Sequence, residues 1–222
     1  MADLPTFRDP SLLERALTHR SYLNEHPELA LEDNERLEFL GDAVLDFITG
    51  AWLYNRFPEL REGRLTSLRA ALVKTETLAE FARRIGVNAH LRLGKGEAET
   101  GGRGRMSMLA DAFEAVLGAL YLDQGLSAVQ EYLEQLLPEE TDRILAEERD
   151  RDAKSVLQEW SQAERGITPR YRTVFESGPD HAKVFTVEVR LGDEIVGHGE
   201  GLSKQSAAQA AATDALKRLG II

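Results

Sequence analysis

The sequence predicts an all-α domain followed by a small α+β domain of α-β-β-β-α order. Apolar residues recur every three or four positions from Ser11 to about Glu147, as in amphipathic helices. Strand-type alternation occurs only further along the chain, and an alanine-rich helical pattern follows it. The charged run from Glu147 to Asp152 is a candidate linker, although a solvated helix end has the same composition. We therefore place the helical domain at 1–147, the linker at 148–152 and the second domain at 153–222.

Composition and charge narrow the class of protein. The 222 residues contain no cysteine, so any metal must be bound by oxygen or imidazole, and cysteine nucleophiles are excluded. The net charge is -11, and residues 1–151 hold 18 Lys and Arg against 28 Asp and Glu. An acidic surface alone disfavours nucleic acid, but divalent cations can neutralise part of it. Without a membrane-length apolar run or a secretory pattern, we expect a cytoplasmic protein with no membrane contact.

The helical domain begins with several short amphipathic segments. Two of them carry apolar stripes at helical spacing, formed by Leu12, Leu13, Ala16 and Leu17 and by Leu78, Phe81 and Ile85. The segment from Leu93 to Arg105 holds five glycines and is predicted to be a flexible loop that leads into the next helix.

Two helices of this domain combine an apolar side with a carboxylate side. In the segment from Asn34 to Leu45, a helical wheel places Glu35, Glu38 and Asp42 together. The apolar side of that helix is formed by Leu37, Leu40, Val44 and Ile48. A second helix, predicted from Met108 to Leu122, places Asp111 one turn from Glu114, with Leu109, Phe113, Val116 and Leu120 opposite.

Carboxylates at this spacing repel each other unless a cation lies between them. If the two helices face each other, Glu38, Asp42, Asp111 and Glu114 form an oxygen-rich cage that suits Mg²⁺ or Mn²⁺. Solvated faces of two acidic helices would show the same spacing, so the pattern alone leaves both interpretations open.

The C-terminal segment contains all the strand patterns of the chain. A helix is predicted at about Ala153 to Arg165, and strands at 171–175, 184–191 and 194–201. Gly192 and Asp193 form a tight hairpin turn between the last two strands. The final helix, about Ser203 to Leu219, begins at a good N-cap and carries an alanine face that can lie close to a sheet.

Four elements of the first domain resemble the ribonuclease III family in the family's order. They are Thr18-His19-Arg20-Ser21, the segment from Asn34 to Leu45, Glu62-Gly63 with Leu65, Leu68, Arg69 and Leu72-Val73, and Leu109-Ala110-Asp111 with Phe113-Glu114-Ala115. The C-terminal segment resembles the double-stranded-RNA-binding domain in Leu157-Gln158-Glu159, in Gly178 to Phe185 and in Gly199 to Ala212. The resemblance covers nearly the whole chain.

The resemblance implies an endoribonuclease that hydrolyses both strands of double-stranded RNA with Mg²⁺, for which Mn²⁺ substitutes. It implies 5′ phosphate and 3′ hydroxyl ends, short 3′ overhangs, and roles in ribosomal RNA precursor processing and in mRNA processing or decay. By the same resemblance the metal-binding and catalytic residues are Glu38, Asp42, Asp111 and Glu114. Glu35 and Glu62 match positions around the same valley.

The resemblance also assigns RNA contacts in the second domain, which reads the shape of A-form RNA. The proposed contacts are Ser155 and Gln158 on the first helix, His181 and Lys183 around the loop before the second strand, and Ser203 and Lys204 at the final helix. Many relatives carry Lys-Lys where this chain has Lys204-Gln205, so the residues expected to bind phosphate carry one positive charge fewer. An ordinary solvated lysine is the alternative for Lys204.

Phe39 lies on the acidic side of its helix, where a large aromatic side chain needs an apolar cover. In the family the matching aromatic inserts into a socket of a second subunit, which predicts a homodimer. The alternative is that Phe39 folds under a helix of its own chain.

Other chemistries find less support in the sequence. His19 and His90 are far in sequence from the acidic pairs, so we expect no histidine general base. The glycines near Gly101 lack a P-loop ending, so we expect no nucleotide cofactor. Two rival functions remain: an RNA-binding protein whose helical domain only dimerises, and a magnesium enzyme of small phosphorylated substrates.

Overall fold

The computed structural model describes residues 3–146, 153–179 and 183–221, and the chain divides into two compact units, Met1–Asp150 and Arg151–Ile222. Within its described residues, the first unit contains ten α-helices and a short 3-10 turn. The helices are α1 Pro10–Ala16, α2 Arg20–Glu25, α3 Glu35–Arg56, α4 Glu62–Leu72, α5 Thr75–Arg84, α6 Val87–His90, α7 Lys95–Glu99, α8 Met106–Gln124, α9 Leu126–Leu133 and α10 Leu137–Ala146. The predicted linker, 148–152, lies outside the described residues.

Helices α3 and α8 pack against each other more extensively than any other helix pair of this unit. Two glycines make this close approach possible. A Cβ atom on Gly41 would lie 1.8 Å from the carbonyl oxygen of Glu114, and one on Gly118 would lie 2.2 Å from the carbonyl oxygen of Leu37. The two backbones therefore touch at a crossing that no larger residue permits.

The apolar sides predicted for α3 and α8 form the centre of the core. Leu37, Val44 and Ile48 are buried in α3, while Leu40 is partly buried. Leu109, Phe113, Val116 and Leu120 are all buried in α8, as predicted. Because both helices direct their apolar sides into the core, their polar sides are left at the surface on the same part of the unit.

The glycine-rich segment before α8 is more ordered than its composition predicts. Residues that were expected to form a loop form α7 and a 3-10 turn at Gly102–Gly104. Gly101, with a φ of 83°, separates the two, and Arg105 forms an ion pair with Glu97 at 2.7 Å. The prediction of a plain loop was wrong because these glycines end short helices rather than prevent them.

The second unit has the predicted α-β-β-β-α order. Its elements are α11 Ala153–Arg165, β1 Arg170–Ser177, β2 Val184–Leu191, β3 Glu194–Gly201 and α12 Lys204–Arg218. The strands form an antiparallel sheet of order β1-β2-β3, and β2 and β3 are joined by a turn at Gly192, whose φ is 63°. Ser203 is the N-cap of α12 and its side chain accepts from the backbone N–H of Ser206, which confirms the predicted cap.

Helix α12 lies directly on β3 because both surfaces carry small residues. A Cβ atom on Gly199 would lie 2.1 Å from the backbone nitrogen of Ala211, and one on Gly197 would lie 2.6 Å from the backbone nitrogen of Ala215. The core of this unit is formed by the alanines of α12 together with Leu157, Val187, Val189, Leu191, Val196 and Leu216. No helix among the residues that the structure describes is both long and apolar enough to cross a membrane.

Candidate active site and RNA-binding residues

Three carboxylates from two helices meet where α3 crosses α8. Glu38 of α3 and Asp111 and Glu114 of α8 each offer one oxygen, and these oxygens lie within 4.8 Å of one another. We call these three residues the carboxylate trio. All three side chains are partly buried. Because Mg²⁺ and Mn²⁺ prefer hard oxygen ligands, the donor set fits such a cation.

Burial and neighbouring negative charges disfavour ionisation of the two glutamates of the trio in the absence of a cation. Burial, followed by the negative charges of Asp42, Glu38, Asp111 and Asp46, raises the pKa of Glu114 to about 8. Burial and three neighbouring carboxylates also raise the pKa of Glu38. The neighbouring carboxylates all repel these two glutamates, so a bound cation would relieve that repulsion.

Asp42 stands slightly apart from the other predicted ligands. Its side chain is exposed, and its oxygens are not part of the trio. Its charge nevertheless acts on both Glu38 and Glu114. The fold therefore brings the four predicted carboxylates to one place, with three of them in ligand-binding proximity.

The two secondary residues lie in different surroundings. Glu35 lies at the start of α3, is exposed, and forms an ion pair with Arg20 at 3.2 Å. Glu62 begins α4 and lines an apolar groove with Tyr54 and Leu65 rather than the pocket beside the trio. A single chain thus brings Glu35, but not Glu62, to the carboxylates.

A pocket of about 190 Å³ opens beside the trio. It is lined by Glu38, Asp111, Glu35, Asn34, His19, Arg20, Leu91, Leu93 and Met108. The pocket thus combines two members of the trio with two basic side chains, a composition that suits a phosphate group held next to a cation.

His19 is a pocket residue that the sequence analysis set aside. His19 lies far from the acidic pairs in sequence and is therefore not expected to act as a general base. The fold nevertheless brings it to the same pocket as Glu38 and Asp111. Burial raises the pKa of Asp111, whereas the nearby imidazole of His19 acts to lower it. The Thr18 to Ser21 element could have identified His19 from the sequence, because it resembles a family motif that was not assigned a function.

Phe39 projects from the same helix as Glu38 and is not covered by the described chain. Its side chain is 80% exposed, so the alternative that it folds under a helix of its own chain is wrong. Two further aromatic residues of α3 are also exposed, Phe47 at 62% and Tyr54 at 71%. An exposed aromatic row along one helix is typical of a surface that a partner covers.

The predicted RNA contacts of the second unit lie on exposed parts of two helices and a strand end. Ser155 and Gln158 are both exposed on α11, three positions apart and therefore on one side of that helix. Ser203 is exposed at the N-cap of α12. His181 lies outside the described residues.

Lys183 and Lys204 converge on a single carboxylate. Their ammonium nitrogens lie 3.1 Å and 3.2 Å from the two side-chain oxygens of Glu176. The same nitrogens lie 5.8 Å and 5.7 Å from the ring centre of Phe185. Both lysines lower the pKa of Glu176 by hydrogen bonding. The two lysines that are predicted from the sequence to contact RNA therefore lie side by side.

Comparisons with known proteins agree with this geometry. A family model described as ribonuclease-III-like matches residues 9–140, and a double-stranded RNA binding motif matches residues 153–219. The chain is 51% identical to ribonuclease 3 of Roseiflexus sp. over 216 residues, which cover 96% of this chain and 91% of that protein. It is 48% identical to ribonuclease 3 of Enterococcus faecalis over 213 residues, which cover 96% of this chain and 92% of that protein.

A solved structure resembles the first unit. The nuclease domain of ribonuclease III from Campylobacter jejuni matches with a TM-score of 0.55 and 37% identity, over 60% of this chain and 90% of that chain. That structure was described for flexibility in a region involved in dimer formation.

Proposed function

Since the chain belongs to the ribonuclease III family and is an endoribonuclease that acts on double-stranded RNA, we propose that it cuts the duplex by divalent-metal catalysis. The observation that carries this proposal is the carboxylate trio: side chains from two helices approach within 4.8 Å although each repels the others. Such an arrangement costs stability without a cation and is suited to binding one. The trio and Asp42 are the proposed metal-binding and catalytic residues.

The reaction is the hydrolysis of a phosphodiester. Water attacks the phosphorus, the bond to the 3′ oxygen breaks, and a proton from water ends on that oxygen, which leaves 5′ phosphate and 3′ hydroxyl ends. A bound Mg²⁺, or Mn²⁺ in its place, supplies Lewis-acid stabilisation of the negative charge that develops on the phosphate. The protein supplies the metal ligands and the shape of the pocket, and its second unit binds the duplex.

A homodimer completes the proposal. Phe39, Phe47 and Tyr54 form an exposed aromatic row on α3, and Phe39 lies directly beside Glu38. If two copies pair through this helix, their two active sites come close together and each can cut one strand. Glu62, which a single chain leaves apart from the pocket, remains a proposed valley residue in that dimer. Ribosomal RNA precursors and messenger RNA are the proposed substrates.

The test compares the wild-type protein with Glu114→Ala on a long RNA duplex and on the separated strands, with Mg²⁺ and with EDTA. We expect the wild type to cut only the duplex and only with Mg²⁺. Glu114→Ala should bind the duplex as the wild type does but fail to cut it, because the RNA contacts are assigned mainly to the second unit. A wild type that binds without cutting would favour a binding module, and cutting at a normal rate by Glu114→Ala would overturn the metal assignment.

A further inference from the structure

We infer that His19 is a substrate-contacting residue of the active site and that its Nε2–H donates a hydrogen bond to a phosphate oxygen of the RNA strand being cut. The inference rests on the proposed function, because it requires a phosphodiester in the pocket beside the carboxylate trio. His19 lines that pocket together with Glu38 and Asp111. It deepens the proposed function by adding an N–H donor to the carboxylates that are proposed as metal ligands.

A hydrogen-bonded chain orients the imidazole and sets its tautomer. The backbone N–H of Ser21 donates to Nδ1 of His19 at 3.2 Å, and the Ser21 hydroxyl lies 2.8 Å from the same nitrogen. The backbone N–H of Gly94 donates to that hydroxyl oxygen at 3.0 Å, and the backbone N–H of Ser21 makes Nδ1 the acceptor. Since Nδ1 is an acceptor, the proton of the neutral ring lies on Nε2. The ring therefore offers an N–H donor on the edge that Ser21 does not occupy.

The backbone around His19 is held as firmly as the ring. The N–H of His19 donates to the carbonyl of Arg92 at 3.1 Å, and the N–H of Arg92 donates to the carbonyl of Leu17 at 2.8 Å. Gly94 comes so close that a Cβ atom there would lie 2.7 Å from the carbonyl oxygen of Ser21. A donor held in this way loses little freedom when it binds a phosphate, which is the requirement for stabilising a transition state.

His19 is better placed for this task than the other basic residue of the pocket. Arg20 forms an ion pair with Glu35, and its side chain is 67% exposed. The imidazole, in contrast, is partly buried and lies near Asp111. A phosphate bound in this pocket would thus lie next to two members of the trio and next to the imidazole of His19.

Two substitutions separate a contact with RNA from a structural role. His19 is the N-cap of α2, where Nδ1 accepts from the N–H of Ser21. His19→Asn keeps an acceptor at the position of Nδ1, and asparagine is a good N-cap, but it has no group at the position of Nε2. His19→Gln extends an amide N–H to the position of Nε2 but caps poorly. His19→Asn therefore keeps the N-cap acceptor without the proposed donor, and His19→Gln keeps a donor without a good N-cap.

The experiment measures single-turnover cleavage of a duplex in Mg²⁺, duplex affinity and thermal stability for the wild type and both variants. We expect His19→Asn to cut about 100-fold more slowly while its melting temperature and duplex affinity stay as in the wild type. His19→Gln should melt at a lower temperature yet cut at least about tenfold faster than His19→Asn. A purely structural role predicts the reverse order of activity, and wild-type cutting by His19→Asn would overturn the inference. If the wild type itself fails to cut, the proposed function has failed and not only the role of His19.

A second measurement does not depend on cleavage. In the Glu114→Gln variant with ¹⁵N-labelled histidine, the His19 signals are identified by their loss in Glu114→Gln/His19→Asn. We expect the Nε2 resonance of His19 to shift when duplex RNA is added to saturation. An unchanged resonance in the saturated complex would contradict the contact.

Discussion

Glu114 is the residue at which cation binding and folding stability are coupled. Its own carbonyl oxygen would lie 1.8 Å from a Cβ atom on Gly41, so the backbone of α8 lies directly against α3 at this residue. One of its carboxylate oxygens lies within 4.8 Å of oxygens of Glu38 and Asp111. Burial, together with the charges of the neighbouring carboxylates, raises its pKa to about 8, and both causes follow from the fold.

We predict that the metal-free protein loses stability between pH 4.5 and about 8, and that Glu114→Gln removes much of this loss. The folded protein keeps a proton on Glu114 that the unfolded chain releases from about pH 4.5 upward, so the free energy of unfolding falls as pH rises through this window. One pKa unit corresponds to about 1.4 kcal/mol, and solvent screens part of the repulsion. Urea unfolding in EDTA should therefore show Glu114→Gln more stable than the wild type by ~1–3 kcal/mol at pH 8.5, with little difference at pH 4.5.

Two controls accompany this titration. Glu59→Gln alters an exposed glutamate outside the site and should follow the wild type at both pH values. Addition of Mg²⁺ at pH 8.5 should stabilise the wild type but not Glu114→Gln, because a cation favours the ionised carboxylates. Equal pH profiles for the wild type and Glu114→Gln would refute the electrostatic account of the trio.

At the scale of elements, the active site depends on how closely α3 and α8 approach. Glu38 lies on one helix and Asp111 and Glu114 on the other, so the spacing of the helices sets the spacing of the ligands. Gly41 and Gly118 determine that spacing. Gly41, which lies in the acidic segment, therefore helps to form the site although it provides no ligand.

We predict that Gly41→Ala destabilises the protein by about 1–3 kcal/mol or more and impairs cleavage under conditions in which the variant is still folded. The new Cβ atom would lie 1.8 Å from the carbonyl oxygen of Glu114, so the helices must separate and the trio must open. Chemical unfolding and duplex cleavage are the measurements. The matched control is Gly63→Ala in α4, where a Cβ atom meets nothing within 4 Å; it should be neutral or stabilising by up to ~1 kcal/mol. Similar effects of both substitutions would show that the α3–α8 contact does not set the site.

At the scale of the whole molecule, the exposed aromatic row of α3 predicts self-association. We predict a homodimer at micromolar concentration that Phe39→Asp shifts towards monomer, because a charge would be buried in an apolar interface. Sedimentation equilibrium tests this, and double-strand cleavage should fall sharply in the same variant. Leu202→Asp is the control: Leu202 is 76% exposed but belongs to the second unit, so the dimer should persist. A monomeric wild type, or a Phe39→Asp protein as dimeric as the wild type, would contradict the assignment.

The division into two units predicts that RNA cleavage and duplex binding can be separated. A chain of residues 1–151 keeps the trio but lacks Lys183 and Lys204, so it should bind duplex RNA weakly at physiological salt and still cut at low ionic strength. Cleavage rates and duplex affinities between about 50 and 200 mM salt provide the measurement. In the full chain, Lys204→Ala should weaken binding and reduce the salt slope by about 1. Undiminished duplex affinity of the shortened chain at physiological salt would refute the role of the second unit.

The sequence by itself determined the fold class of both units and the order of elements in the second, and it singled out the acidic residues proposed for the site. Period-3.6 patterns placed Leu37, Val44 and Phe113 in the core, and alternation placed β2 and β3 at the residues where they occur. These features are local, because each is decided by which side of one helix or strand is apolar. Local patterns did not show that glycines in the segment before α8 end short helices, because that depends on contacts such as Glu97 with Arg105.

Only the tertiary structure decided which distant side chains meet. It separated Asp42 from the trio, left Glu62 at another groove, and brought His19 to the pocket beside Asp111. Sequence spacing fixes directions within one helix, whereas the distance between residues on different elements follows from how those elements pack. Here that packing is set by backbone contact at two glycines and by the hydrogen bonds that tie the Thr18 to Ser21 element to Arg92 and Gly94.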